Sequence, residues 1–241
     1  MKISIVVPAF NEERLLGASL SQIQVAAVAF TRRGWATELI VCDNNSTDRT
    51  AELARAAGAT VVFEPFNQIA RARNSGAAAA TGEWLVFVDA DSHPDTALFE
   101  EVAVQIESGR CLAGGCTVKL AGDYPLLKSL TALWNGLSRA LHWMAGSFIF
   151  CEAKTFRALG GFSGELFAGE EVDLSRRLKK LARADGKQIV ILHRHPLLTS
   201  ARKAHLYSTG EYLRFLLKII LTGGKAVASR SACHPWYDGR R

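Results

Sequence analysis

The sequence predicts an α/β fold on a mostly parallel sheet, and three observations carry that expectation. In the first half of the chain, short apolar runs alternate with segments whose apolar residues recur at helical spacing. The run Trp84-Leu85-Val86-Phe87-Val88 is apolar throughout, with Gly82 before it and Ser92-His93-Pro94 after it, as a strand buried on both faces should be. With 241 residues, 49% of them hydrophobic and 22% charged, the chain can bury one large core, so one domain is the default.

Taken in order, residues 3–7 read as the first strand, ended by Pro8, and 11–30 as a helix with Leu15, Leu16, Leu20 and Ile23 at helical spacing. Residues 38–42 make the second strand. The stretch Asp43-Asn44-Asn45-Ser46-Thr47-Asp48 is dense in turn and capping residues, so Thr47 or Asp48 caps a helix running to Ala57 before Gly58 stops it. A third strand over 60–63, an alanine-rich helix over 69–80 and the strand 84–88 complete a βαβα alternation with right-handed crossovers. Beyond Asp91 the pattern loosens. A helix from Pro94 to 108 precedes a strand at 111–120 and a helix at 124–144 with a polar side at Lys128, Asn135, Arg139 and His142. A strand at 147–151, a helix at 153–159 and a turn at Gly160-Gly161-Phe162 follow. The chain then offers a charged helix at 169–184, a strand at 187–192 and an apolar helix near 206–221. No internal repeat or linker-like stretch marks a boundary.

The balance of 29 basic against 23 acidic residues gives +6, which suits phosphate ligands or an anionic membrane surface and is too mild to argue for nucleic acid. Five cysteines without a C-x-x-C pair fit a reducing cytoplasm rather than a disulfide framework or a zinc site. The first strand is too short and too soon ended for a signal peptide, and no apolar run approaches the roughly 20 residues of a membrane span. The expected location is therefore cytoplasmic, with the inner face of the membrane as a docking place.

Chemistry enters at Asp89-Ala90-Asp91, which the apolar strand delivers to the carboxyl edge of the sheet, where open α/β sheets bind their ligands. Two bare acids there would repel each other. Sharing a divalent cation relieves that repulsion, and hard cations with oxygen ligands usually accompany phosphates, so a nucleotide diphosphate is the expected ligand.

Several separate segments resemble one family in order. They are Val6-Val7-Pro8-Ala9-Phe10-Asn11-Glu12-Glu13, Cys42-Asp43-Asn44-Asn45-Ser46-Thr47-Asp48, Ala72-Arg73-Asn74-Ser75-Gly76, Asp89-Ala90-Asp91, Gly160-Gly161-Phe162 and Gly169-Glu170-Glu171-Val172-Asp173-Leu174. Together, over about residues 3–180, they resemble the motifs of family 2 glycosyltransferases. The resemblance implies a GT-A fold, a nucleotide-diphosphate sugar donor, a divalent cation (Mn2+ or Mg2+), and transfer with inversion at the anomeric carbon.

It also implies roles. Pro8, Ala9, Phe10 and Glu12 would hold the base and ribose, although a plain strand-to-helix turn with Glu12 near a helix start reads the same way. Asp43 would help read the base, with Asn44 standing where relatives carry a second acid. Arg73, in the A-R-N triplet, would contact donor phosphate or ribose, while Arg71, two residues earlier, does not share its face. Asp91 would coordinate the cation, with Asp89 meeting ribose or completing the shell; capping of the following helix is the alternative. Glu171 would be the general base, with Glu170 and Asp173 as alternatives, against a purely structural preference for carboxylates at a helix start. One of His193 and His195 is a candidate third ligand. Arg202, with Lys203, is a candidate to close over the diphosphate, against ordinary surface charge.

The chain thus reads as a GT-A domain over 1–205, with a donor half at about 1–110 and an acceptor half at about 111–205, followed by an amphipathic helix and basic tail at 206–241. The helix over 212–221, with Arg214 and Lys218 on one face, suits core packing, a partner or a membrane surface. A membrane role would point to a lipid-linked acceptor. Two rivals stand beside the transferase: a sugar-nucleotide binding protein without activity, and a sugar-nucleotide pyrophosphorylase. The second would want a glycine-rich, basic loop after the first strand, and Pro8-Ala9-Phe10-Asn11-Glu12 has neither glycine nor base.

Overall fold

Alternation of side chains along the strands decides where each layer lies. In β1 (Lys2–Ala9), Ile3, Ile5 and Val7 enter one buried cluster and Val6 enters another; in β4 (Trp84–Val88), Trp84, Val86 and Val88 join the first cluster while Leu85 and Phe87 join the second. A sheet buried on both faces needs helices on both, and the sequence supplies them. The computed structural model describes residues 1–201 together with Ala228, Ser229 and Cys233. The expected helix near 206–221, its basic tail, Arg202 and Lys203 lie outside the described residues.

The remaining strands are β2 (Ala36–Asp43), β3 (Thr60–Phe63), β5 (Ser92–His93), β6 (Cys111–Leu120), β7 (Phe148–Glu152) and β8 (Gln188–Thr199). They form one sheet in the order β3-β2-β1-β4-β7-β6-β8-β5. The pairs β1–β2, β1–β4, β2–β3 and β6–β8 are parallel; β4–β7, β6–β7 and β5–β8 are antiparallel. The fold is therefore a single α/β domain with a mostly parallel sheet. Helices α1 (Leu16–Ala26), α2 (Val28–Thr31) and α5 (Thr96–Glu107) cover one face through Leu16, Leu20, Phe30 and Phe99. On the other face lie α4 (Ile69–Ala79), α7 (Ala153–Ala158) and α8 (Glu170–Ala184), through Ala70, Phe156 and Leu174. Two further helices, α3 (Thr50–Ala56) and α6 (Pro125–Leu141), complete the set among the described residues.

Several boundaries differ from expectation, each for a physical reason. The helix expected from residue 11 begins at Leu16, because Asn11 takes a left-handed φ of 53° and long-range side chains accept from the backbone N–H groups of residues 11–13. Those acceptors are Ser46 Oγ at 2.9 Å, Thr50 Oγ1 at 2.8 Å and Asp48 Oδ2 at 3.1 Å. Likewise α3 starts at Thr50, since Thr47 and Asp48 are used in this stitching. The last strand is longer than expected. It continues to Thr199 because β6 pairs with it beyond Leu192, as far as Leu120 opposite Thr199, after a register shift between Cys116 and Val118. Its far end meets the two-residue β5, which was not expected at all.

Candidate functional site

The carboxyl ends of β1, β2 and β4 share one edge, and the loops leaving them make the site. Asn44 N–H donates to the Ala9 carbonyl at 2.8 Å, and Asn11 Oδ1 accepts from Thr47 N at 2.8 Å, so the loops after β1 and β2 are fastened as one piece. Within it Pro8, Ala9 and Glu12 are buried, while Phe10 keeps part of its surface open. Asp43, also buried, accepts from Ser46 N at 3.0 Å and closes its own turn.

Asn44 explains itself once its partners are seen. Its amide nitrogen donates to the carbonyls of Glu64 at 3.1 Å and Phe66 at 2.5 Å, and its side-chain oxygen accepts from Gln68 N at 2.9 Å. A carboxylate could not donate. The residue therefore clamps the loop between β3 and α4, a task that an acid at this position cannot perform.

Arg73 sits at the centre of the site. Its side chain is 2% exposed, and it donates from Nη1 to Glu170 Oε1 at 2.7 Å, and from Nη2 to Asp89 Oδ1 at 3.0 Å and to the Gly146 carbonyl at 2.7 Å. The guanidinium also lies 5.2 Å from the centre of the Phe162 ring. Expected to contact donor phosphate or ribose, Arg73 is here engaged by Glu170, Asp89 and the Gly146 carbonyl. Its work is to tie the start of α8 to the acid at the end of β4. The neighbouring Asn74 holds the Gly161-Phe162 turn through Phe162 N and O, both at 2.9 Å. Arg71 instead packs on the exposed Phe66, 4.6 Å from its ring centre.

The three candidate bases separate by their partners. Glu170 is 5% exposed and committed to Arg73. Asp173 pairs with Arg177 at 2.8 Å, and Arg177 in turn donates to the carbonyls of Leu159 and Gly161 at 2.9 and 2.7 Å. Glu171 remains, with part of its surface open beside Gly146. A Cβ added to Gly146 would lie 3.2 Å from Arg73 Nη2 and 3.6 Å from the Glu171 carboxyl carbon, so the two groups flank this glycine. Burial, with the Glu170 carboxylate second, pushes the Glu171 carboxyl above the ordinary range, to about 8, against the opposing pull of Arg73.

Asp89 retains 28% of its side-chain surface and Asp91 is half-buried. Among the described residues no three His, Cys, Asp or Glu form a metal cage. Mg2+ and ions like it need none where a diphosphate and water supply the remaining oxygens, so this acid pair fits a cation held together with a ligand. His193 and His195, the candidate third ligands, lie along β8 beside α5. Lying i, i+2 on β8, they line a groove with Glu100, Glu101 and Val104 of α5, and His195 Nε2 is 3.8 Å from Glu101 Oε1. Five residue steps, about 16 Å of extended chain, lead from His195 to Ser200, whose N–H donates to the Asp91 carbonyl. Sequence reasoning missed Gly146 and Arg177, since a lone glycine and one arginine in a basic helix carry no motif.

A family model described as Glycosyl transferase family 2 matches residues 4–164. The chain belongs to that family. An uncharacterized glycosyltransferase of Mycobacterium tuberculosis is 33% identical over 120 residues, covering 50% of this chain and 50% of that protein. This chain thus spans about half the length of that relative. A UDP-Glc:alpha-D-GlcNAc-diphosphoundecaprenol beta-1,3-glucosyltransferase of Escherichia coli is 31% identical over 93 residues, or 37% of this chain and 34% of that one. Among solved structures, glucosyl-3-phosphoglycerate synthase from Mycobacterium tuberculosis, in complex with Mn2+, UDP and glucosyl-3-phosphoglycerate, superposes with a TM-score of 0.65 at 21% identity. That alignment covers 92% of this chain and 79% of the synthase, and it shows the shared GT-A fold. The family match stops before Gly169, so the acids of α8 lie outside it.

Proposed function

We propose that this family 2 member transfers a sugar from a nucleotide-diphosphate sugar to an acceptor hydroxyl, with inversion at the anomeric carbon. One observation carries the reading: Arg73 bonds both Asp89 and Glu170, which locks the helix start that bears Glu171 to the acid pair on β4. Glu171 takes the proton from the acceptor hydroxyl as its oxygen forms a bond to the anomeric carbon. The bond from that carbon to the diphosphate oxygen breaks, and the electron pair leaves with the diphosphate. A carboxyl with raised proton affinity suits a base working near neutral pH. Arg73 is a positioning residue in this scheme.

Asp91, with Asp89, would hold Mn2+ or Mg2+, and such an ion supplies neutralisation of charge on the leaving group. Asp43 and Phe10, at the ends of β2 and β1, would contact the base and ribose. The parallel half of the sheet, to about residue 110, would serve the donor and the rest the acceptor. A lipid-linked acceptor is a second reading, favoured by what the Escherichia coli relative's name says it acts on.

A transfer assay over a panel of sugar nucleotides with Mn2+ or Mg2+ tests the proposal. Glu171→Gln should keep donor binding and lose about 10² to 10⁴ in turnover. No product with any donor would leave a binding protein. Normal turnover in Glu171→Gln, with loss in Glu170→Gln or Asp173→Asn, would move the base.

A further inference from the structure

Helix α6 turns a leucine stripe away from the protein. Leu130, Leu133, Leu137 and Leu141, spaced 3, 4 and 4 residues apart, are 48%, 61%, 43% and 36% exposed. Another side of the helix is fastened down. Asn135 bonds Val118 through both N and O, at 3.0 and 2.9 Å, and buried Ser138 donates to the Trp143 carbonyl. With 17 residues the helix is about 25 Å long, so the stripe is an extended apolar edge rather than one stray side chain.

Its charge surroundings are mainly basic, although Asp123 just before the helix pairs with Lys128 at 2.7 Å. Pro125–Leu141 contains no acid but carries Lys128 and Arg139. At its end, Lys179 of α8 donates to the Leu141 carbonyl at 3.1 Å, and Arg176 lies over the Trp143 ring at 5.3 Å. Arg176, Lys180 and Arg183 continue from there as an exposed row on one face of α8. The leucines therefore run into a basic rim with a tryptophan at the join.

We propose that α6 and the basic row of α8 dock on an anionic lipid bilayer, the leucines entering the headgroup boundary and the cations meeting lipid phosphates. An apolar helix face with a basic polar flank is the arrangement that binds such surfaces, and it lies parallel to them without crossing. Among the described residues no helix is long and apolar enough to span a membrane. The docking does not depend on the transferase reading, because vesicle binding is read without turnover.

The test is co-sedimentation of the full chain with phosphatidylcholine vesicles, with and without phosphatidylglycerol. Binding should need the anionic lipid and fall with salt. Leu133→Ser with Leu137→Ser should lower partitioning at least about tenfold while circular dichroism and Tm stay unchanged, since both side chains are exposed. Arg176→Glu with Lys180→Glu should lower it on the order of fivefold per residue. Absence of wild-type binding to anionic vesicles at low salt would overturn the proposal. So would binding that survives the leucine changes but is lost in Arg214→Glu with Lys218→Glu, which would assign docking to the tail. A wild-type dimer by light scattering that the leucine changes dissolve, without vesicle binding, would assign the stripe to a second copy.

Discussion

Glu171 holds a proton that the unfolded chain would release. Its carboxyl is raised from the ordinary 4.5 to about 8, so the folded state binds more protons than the unfolded state between those values. The stabilising contribution of that proton is complete below about pH 4.5 and is lost as pH climbs through 8. Removing the charge should then help: Glu171→Gln should melt close to wild type at acid pH and above it at pH 8, in thermal denaturation run at both ends. Equal Tm values across the range would place the raised carboxyl elsewhere. Asn44 makes an opposite demand. Asn44→Asp leaves the Glu64 and Phe66 carbonyls without their donor and should cost about 1–3 kcal/mol in urea unfolding, without any gain in base selectivity. At this scale the sequence was partly legible. The acids at the end of β4 and the start of α8 were visible as residue types in sequence, but the tie that Arg73 makes between them was not, because Glu170 lies 97 residues away.

Strand β4 was readable to the residue because every side chain in it is buried and the five-residue run is bounded by turn residues, too short for a helix. The start of α1 was not, since the groups that delay it come from the loop after β2 and the first residue of α3, 35 to 38 residues later. Nor could β8 be traced through His193-Arg194-His195-Pro196, where polar residues and a proline hide a strand that pairing with β6 sustains. Close approach between elements is equally invisible in one sequence. Gly114 lies in β6 where an added Cβ would come 2.5 Å from Phe150 Cζ and 2.6 Å from the Val190 carbonyl oxygen. Gly114→Ala must therefore separate β6 from its neighbours on both sides. It should cost about 1–3 kcal/mol, read as a lower urea midpoint with unchanged slope.

The sheet order places β1 and β4 side by side in the middle, so the acids leave from the end of a central strand. A ligand seated there should stabilise the whole domain. UDP with Mn2+ at 100 times its Kd should add about 2.7 kcal/mol, a rise of roughly 5–10 °C in Tm, and Asp91→Asn should lose the Mn2+-dependent part. No shift with any nucleoside diphosphate would count against the donor reading. Arg73 gives this edge a further property. One guanidinium serves Asp89 from the first half of the chain and Glu170, next to Glu171, from the second. Charge placed on one side is therefore felt on the other, and thermodynamic linkage makes the effect mutual. Positive charge arriving beside Asp89 lowers the proton affinity of Glu171, and ionising Glu171 tightens the hold on that positive charge by the same factor. The shared counter-ion turns two sites into one coupled equilibrium, with proton uptake and release as its signature: a binding enthalpy that changes with the ionisation heat of the buffer.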